Sequence, residues 1–368
     1  MFSATLRGFY SKHNTQHYDK KAKVRSGIIM GVVSIEKEIN QVEISAPHIV
    51  ILGAGASYAS FPNGDKNGKK LPLMNNLIEI LQLEKLLQRT ELQFFTSNFE
   101  EIYDLIYKDE SLNDIRYELE KAVYDYFNSL SISDEPTIYD HLVLSLREKD
   151  VIATFNWDPF LIQAYVRNGK RGFKLPHLIF LHGNVAVGLC EKDKVVGVMG
   201  KKCTHCNEYL KPSKLLYPIS EKNYHQNSFI KDQWDELQNA LKKCFMITIF
   251  GYGAPKSDIS AIDLMKSAWG DVAQRSMEQT EIIDIRDEDD LENVWKPFIH
   301  THHREFHQDF YSSFIANHPR RTGEAYYNQY YLAHFIDNNP LPKDANFHDL
   351  WSWYKKLQDI ENKKMSAI

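Results

Sequence analysis

Short apolar runs rich in Val, Ile and Phe recur along the chain, separated by stretches with the 3.6-residue period of helices. That alternation constrains the fold more than any other feature. Strands that follow helices in this way bury both faces only in a parallel sheet covered on each side. The runs are His48–Leu52, Val151–Phe155, Leu178–Leu181, Phe245–Phe250 and Glu281–Ile285. The expected fold is therefore α/β, a doubly wound, mostly parallel, Rossmann-like sheet. At 368 residues the chain exceeds the roughly 250–300 that one core serves, so attachments to the sheet are expected.

Those attachments have their own patterns. Residues 1–46 read as an N-terminal extension, polar and basic over Ser11 to Arg25, with a hairpin or short helix within Ile28 to Ile44. Helical periodicity over about 73–130 is too long for a simple crossover and predicts a helical insertion. A second insertion, about 186–212, carries three of the four cysteines. Residues 291–368 read as a helical C-terminal region rich in aromatic residues and His, leaving 47–290 as the central domain.

Charge and hydropathy exclude several classes. The net charge of -5 and pI near 6.3 do not indicate a nucleic-acid binder. No run reaches the roughly 18 apolar residues of a membrane span, and Met1 to Ser26 lacks the apolar core of a signal peptide. Four cysteines without an export signal make no disulfide framework, so a cytoplasmic protein is expected.

Four motifs follow four of the predicted strands. Gly53-Ala54-Gly55-Ala56-Ser57 puts glycines at a strand-to-helix turn, suited to phosphate or merely to a tight turn. Phe155-Asn156-Trp157-Asp158 brings polar side chains to the carboxyl edge, though Asp158 before Pro159 is also good capping chemistry. Leu181-His182-Gly183 can place an imidazole in an open cleft as a base, or hold a structural histidine. Gly251-Tyr252-Gly253-Ala254-Pro255-Lys256-Ser257-Asp258 permits close backbone approach and offers Ser257 or Asp258 to a ribose or a helix cap. All four share one edge of the sheet and together describe one cleft.

In this order, with a cysteine-bearing insertion between the third and fourth, the motifs resemble a sirtuin-like domain of the Sir2 superfamily. The resemblance is closest to the divergent bacterial branch associated with anti-phage defence, and it covers residues 47–290. It implies that Gly53, Ala54, Gly55 and Ser57 line an NAD pyrophosphate site. It further implies that Asn156 orients a ribose hydroxyl or water with Asp158 in support, that His182 is the general base, and that Gly251 and Asp258 close the adenosine side. The chain departs from the acyl-peptide features of deacylating sirtuins. Ser60-Phe61-Pro62-Asn63-Gly64-Asp65 replaces their G-I-P-D-F-R stretch, Phe155 stands where they have Gln, and Leu215-Leu216-Tyr217-Pro218 replaces F-G-E. These departures point to an NAD glycohydrolase that releases nicotinamide and ADP-ribose, a defence effector switched on by a protein partner or sensor, or by homo-oligomer assembly. An NAD-dependent deacylase, a non-catalytic NAD or ADP-ribose sensor, and an enzyme that makes a cyclic ADP-ribose product are the alternatives.

Cys203-x-x-Cys206 has zinc-knuckle spacing, with Cys190 upstream. The family's ribbon uses two cysteine pairs; here Asp193 stands in the place of the fourth cysteine, with His205 as the other candidate, and a ribbon without metal is the alternative. In the C-terminal region, His303 and His307 stand four apart within the His300, His302, His303, His307 group, a spacing that on a helix would suit a metal. His318-Pro319-Arg320-Arg321 reads as solvated surface, or as a phosphate or partner contact. The stripe of Tyr326, Tyr327, Tyr330, Tyr331 and Phe335 reads as core or an oligomer contact.

Overall fold

The first expected run forms β1 (His48–Leu52), preceded by the short helix α1 (Ile35–Ile39), whose first turn is capped by the Ser34 side chain. The structure, a computed structural model, describes residues 32–365 except 42–45, 93–95, 220–223, 225, 256–257, 272, 274, 276 and 300–301. Most of the expected N-terminal extension, together with Lys256, Ser257 and His300, lies outside the described residues. After β1 come α2 (Ala54–Ser60), α3 (Leu77–Leu81), α4 (Glu84–Gln88), α5 (Phe99–Lys108) and α6 (Asn113–Asn128). The helices α3 to α6 fall within the expected insertion. Their apolar residues, including Leu77, Phe99, Ile102, Ile106, Leu119 and Val123, join the core on one face of the sheet.

Helix α7 (Ile138–Ser145) begins with a capping box in which Thr137 and Asp140 satisfy each other's backbone N–H groups. It leads into β2 (Val151–Thr154), α8 (Phe160–Gly169) and β3 (His177–Phe180). The cysteine-bearing insertion folds as a small sheet of β4 (Val187–Cys190), β5 (Val195–Val198) and β6 (Lys211–Pro212), in the order β5-β4-β6. The chain returns through α9 (Ser228–Leu241), β7 (Met246–Phe250), α10 (Ile259–Trp269), β8 (Gln279–Ile283) and α11 (Glu288–Trp295).

The last region contains β9 (Arg304–His307), α12 (Phe314–Asn317), α13 (Thr322–Tyr326), a π-helical turn at Tyr327–Tyr331, and α14 (Phe347–Met365). The region ends in a helix as expected, but β9 corrects the helical reading at Arg304–His307. It adds a sixth parallel strand beside β8, with Ile283 opposite His307. His303 and His307 therefore flank and end a strand instead of sharing a helix face. The alternation was hidden because Arg304 and Glu305 are charged, and their partners Glu292 and Tyr330 come from elsewhere in the chain.

The main sheet runs β3-β2-β1-β7-β8-β9 and is parallel throughout. The chain builds outward from β1 through β2 and β3, then crosses back to build β7, β8 and β9 on the other side. Helices cover both faces, as an all-parallel sheet requires. One face packs against the insertion, α7 and α14; the other packs against α9, α10 and α11. No helix among the described residues is long and apolar enough to cross a membrane.

A second correction concerns His318, Arg320 and Arg321, which are buried at 5%, 1% and 0% exposure. The Arg320 guanidinium binds the Glu361 carboxylate of α14 and the carbonyls of Leu144 and Leu146. Arg321 binds the equally buried Glu38 of α1. Buried guanidinium groups are tolerated only with such partners, and both partners here are remote in sequence. From the aromatic stripe, Tyr326 joins a small buried cluster with Met246, Phe314 and Ala325, while Phe335 is exposed.

Candidate functional site

In a doubly wound sheet the crevice for a ligand opens where the strand order reverses, at the carboxyl ends of the strands. Here that point lies between β1 and β7. Leu52 stands opposite Phe250, so the turns after the two strands leave the sheet together. Gly53 N donates to Phe250 O at 3.0 Å, and Gly55 N donates to Gly251 O at 2.9 Å. A Cβ on Gly53 would lie 2.5 Å from Tyr252 Cα, and one on Gly251 would lie 2.2 Å from Ala56 N. Gly251 also has φ +61°, where a side chain is strained. These glycines let two backbones touch. The N–H groups of Gly53 and Gly55, expected to meet phosphate, are engaged within the chain, while Ala54 is exposed at the rim and Gly253 faces open space.

Beneath the first turn lies a buried polar cluster. The Asn156 side-chain nitrogen donates to Gly53 O at 2.8 Å and to Ser57 Oγ at 3.0 Å. Ser57 Oγ donates to Asp158 Oδ2 at 2.6 Å and lies 2.6 Å from the Tyr139 hydroxyl. Burial pushes the Asp158 carboxyl up to about 6. Asp158 also accepts from Phe160 N at 3.2 Å, so it caps the start of α8 while it holds Ser57. Ser57, expected at the pyrophosphate, is thus fully occupied at 2% exposure. The cluster locks the Asn156 amide by its nitrogen. Tyr139 was not legible as a participant, because only the packing of α7 over α2 brings it there.

His182 follows β3. The adjoining Gly183 has φ +73°, and a Cβ on it would lie 2.1 Å from Lys214 O, so the turn beside the imidazole admits no side chain. The imidazole packs edge-on against the Phe155 ring at 4.8 Å, and Phe155 stacks on Tyr252 at 4.1 Å. Tyr224 lies nearly parallel to it, 13° between planes and 6.0 Å between centroids. His182 is therefore 5% exposed, which corrects the expectation of an imidazole in an open cleft: two aromatic rings, Phe155 and Tyr224, pack against it. Asp258 Oδ1 lies 3.9 Å from His182 Nε2, and its other oxygen accepts from the Tyr252 hydroxyl at 2.8 Å. Asp258, expected on the adenosine side, thus stands next to the imidazole.

The two loops are joined. The Asn184 side chain, two residues after His182, donates to the carbonyl oxygens of Asn156 at 3.1 Å and Asp158 at 2.6 Å. Asn156 and His182 thereby belong to one wall, linked through Phe155 and Asn184. The loops after β2, β3 and β7 thus bring an amide, an imidazole and a carboxylate to the same edge of the sheet.

The small sheet brings Cys190, Asp193, Cys203 and Cys206 together, with their ligand atoms all within 4.8 Å of one another. A tetrahedral zinc would set sulfurs about 3.8 Å apart and a carboxylate oxygen about 3.5 Å from each sulfur. Cys190 and Cys206 sulfurs lie 3.6 Å apart, and Asp193 Oδ2 lies 3.5 Å from Cys190 Sγ and 3.2 Å from Cys203 Sγ. The Asp193 carboxyl is held down to about 2, chiefly by the Cys206 thiol. The donor set fits zinc, and His205 is not in it. Metal analysis of purified protein should find about one zinc per chain, and Asp193→Ala should lower that occupancy. Cys244 is buried just before β7 and takes no part.

No family model matches the chain, and no curated protein does. Among solved structures the chain is similar to a Sir2 protein with a deacetylated p53 peptide and 3'-O-acetyl ADP-ribose, at 12% identity over 80% of this chain and 98% of that one, TM-score 0.36. It is also similar to a Sir2 homologue–NAD complex, at 14% identity over 79% and 89%, TM-score 0.34. A third is Sir2 bound to an acetylated peptide, at 13% identity over 78% and 93%, TM-score 0.35. At these identities the reading of function rests on this chain's own residues.

Proposed function

We propose that the chain is an NAD glycohydrolase that releases nicotinamide and ADP-ribose. The observation that carries the reading is the joining of Asn156 and His182 in one wall beside the β1–β7 switch point, with Asp258 3.9 Å from the imidazole. NAD is the substrate; it lies across the sheet's edge with its pyrophosphate near the interlocked glycine turns and the exposed Ala54. Gly251 shapes that floor, and Asp158 with Ser57 fixes Asn156.

Cleavage of the nicotinamide–ribose bond sends its electron pair to the pyridinium nitrogen, so nicotinamide leaves neutral and the ribose carbon becomes cationic. Water adds to that carbon and gives up a proton. The Asn156 amide oxygen orients the attacking water or the neighbouring ribose hydroxyl. His182 accepts the proton, help typically worth about 10²–10⁴-fold. Asp258 steadies the imidazolium that results.

The loss of the acyl-peptide motifs, Phe155 above all, supports water over an acyl-lysine as the nucleophile. In this reading the enzyme is an anti-phage effector with a basal NAD-cleaving rate that a protein partner or assembly of copies raises to the point of depletion. Mass spectrometry of NAD incubated with the protein, with and without acetyl-lysine peptide, tests the reading. Nicotinamide and ADP-ribose in equal amounts without peptide is the expected result. Release that requires peptide would identify a deacylase, and NAD left intact in every condition would refute the reading.

A further inference from the structure

Tyr224 lies in the turn that leads into α9, and none of the sequence motifs includes it. It is 2% exposed, and its ring packs at 4.6 Å against Trp234 and nearly parallel to His182. Its hydroxyl is buried and has no hydrogen-bond partner among the described residues. The ring alone explains the packing, and a phenylalanine would supply it. Burying a hydroxyl that finds no partner costs about 1–3 kcal/mol, so the oxygen is a liability in the free protein. Burial and the nearby Asp258 both raise its pKa, which keeps the phenol a neutral donor.

We infer that the Tyr224 hydroxyl is a substrate-contacting group, hydrogen-bonding one hydroxyl of the ribose on which His182 acts. A ribose carries two adjacent hydroxyls. An imidazole and a phenol side by side can each serve one of them, and that divides selection of the sugar between two residues. The inference rests on the NAD reading above.

Its test is Tyr224→Phe, which keeps the ring and removes only the oxygen. Two measurements are needed: the melting temperature of the ligand-free protein, and calorimetric affinity for ADP-ribose, which keeps the sugar and is not consumed. The free variant should melt no lower than wild type, because it loses an unsatisfied group. Its affinity for ADP-ribose should fall roughly 10-fold, as expected for one lost hydrogen bond in a site shaped around it. With ADP-ribose analogues lacking one or the other hydroxyl of that ribose, wild type and variant should become equal on one analogue and stay different on the other.

A lower melting temperature would show that the hydroxyl serves the fold and would overturn the inference. So would unchanged ADP-ribose affinity, or an equal loss on both analogues. Each of these leaves the NAD reading standing if wild type still releases nicotinamide. Wild-type protein that binds neither NAD nor ADP-ribose would overturn both.

Discussion

His182→Ala is expected to lower nicotinamide release by about 10²–10⁴-fold, the usual contribution of a positioned acid–base group. The imidazole stands between Phe155 and Tyr224 with Asp258 3.9 Å from Nε2, and alanine leaves no group there to take a proton. Asn156→Ala should cost about 10²-fold, because the amide held by Gly53 O and Ser57 Oγ sets the position of the sugar or water. The two losses should fall well short of adding, since both residues act on the same reacting sugar. Release is measured by mass spectrometry on variants whose thermal unfolding remains cooperative. Folded variants that release nicotinamide at the wild-type rate would remove the catalytic assignment.

The largest effect on stability is expected at the other side of the molecule. Arg321 and Glu38 have no exposed side-chain surface, and their ion pair fastens α1 to the start of α13. Arg321→Met leaves the Glu38 carboxylate buried without its cation and should destabilise the protein by about 3–5 kcal/mol. Even in the intact pair, burial outweighs the arginine and lifts Glu38 from 4.5 to about 7. A carboxyl raised on folding weakens the fold as pH climbs through that interval, because its ionised form is the costly one. The deficit of Arg321→Met should therefore be greatest above pH 7 and shrink in acid, where Glu38 takes up a proton. Glu38→Leu combined with Arg321→Met should recover much of the loss, since an apolar pair avoids both desolvation costs. Denaturant unfolding across pH reads wild type and both variants. A deficit that grows in acid would contradict this account of Glu38.

The placement of the site was written locally, in residues that follow one another. His48–Leu52 is apolar at every position because both faces are buried, and Gly53 comes next because the turn leaves no room for a Cβ. Strand ends of a parallel sheet lie side by side, so motifs scattered over two hundred residues were bound to share one edge. Cys190, Asp193, Cys203 and Cys206 were equally legible, since each ligand lies a short loop from the next.

What required the tertiary structure was every pairing made at long range. Arg320-Arg321 reads as a solvated patch until Glu38 and Glu361 arrive from positions 283 and 41 residues away. Strand β9 carries charges that its sequence neighbours do not match, and only its place beside β8 makes it a strand. Asp258 belongs with His182, and Tyr139 with Ser57, by the packing of separate elements. Local sequence determines backbone geometry because sterics and apolar periodicity act between near neighbours. Desolvation decides which polar groups must meet, and it acts only once the chain has closed around them.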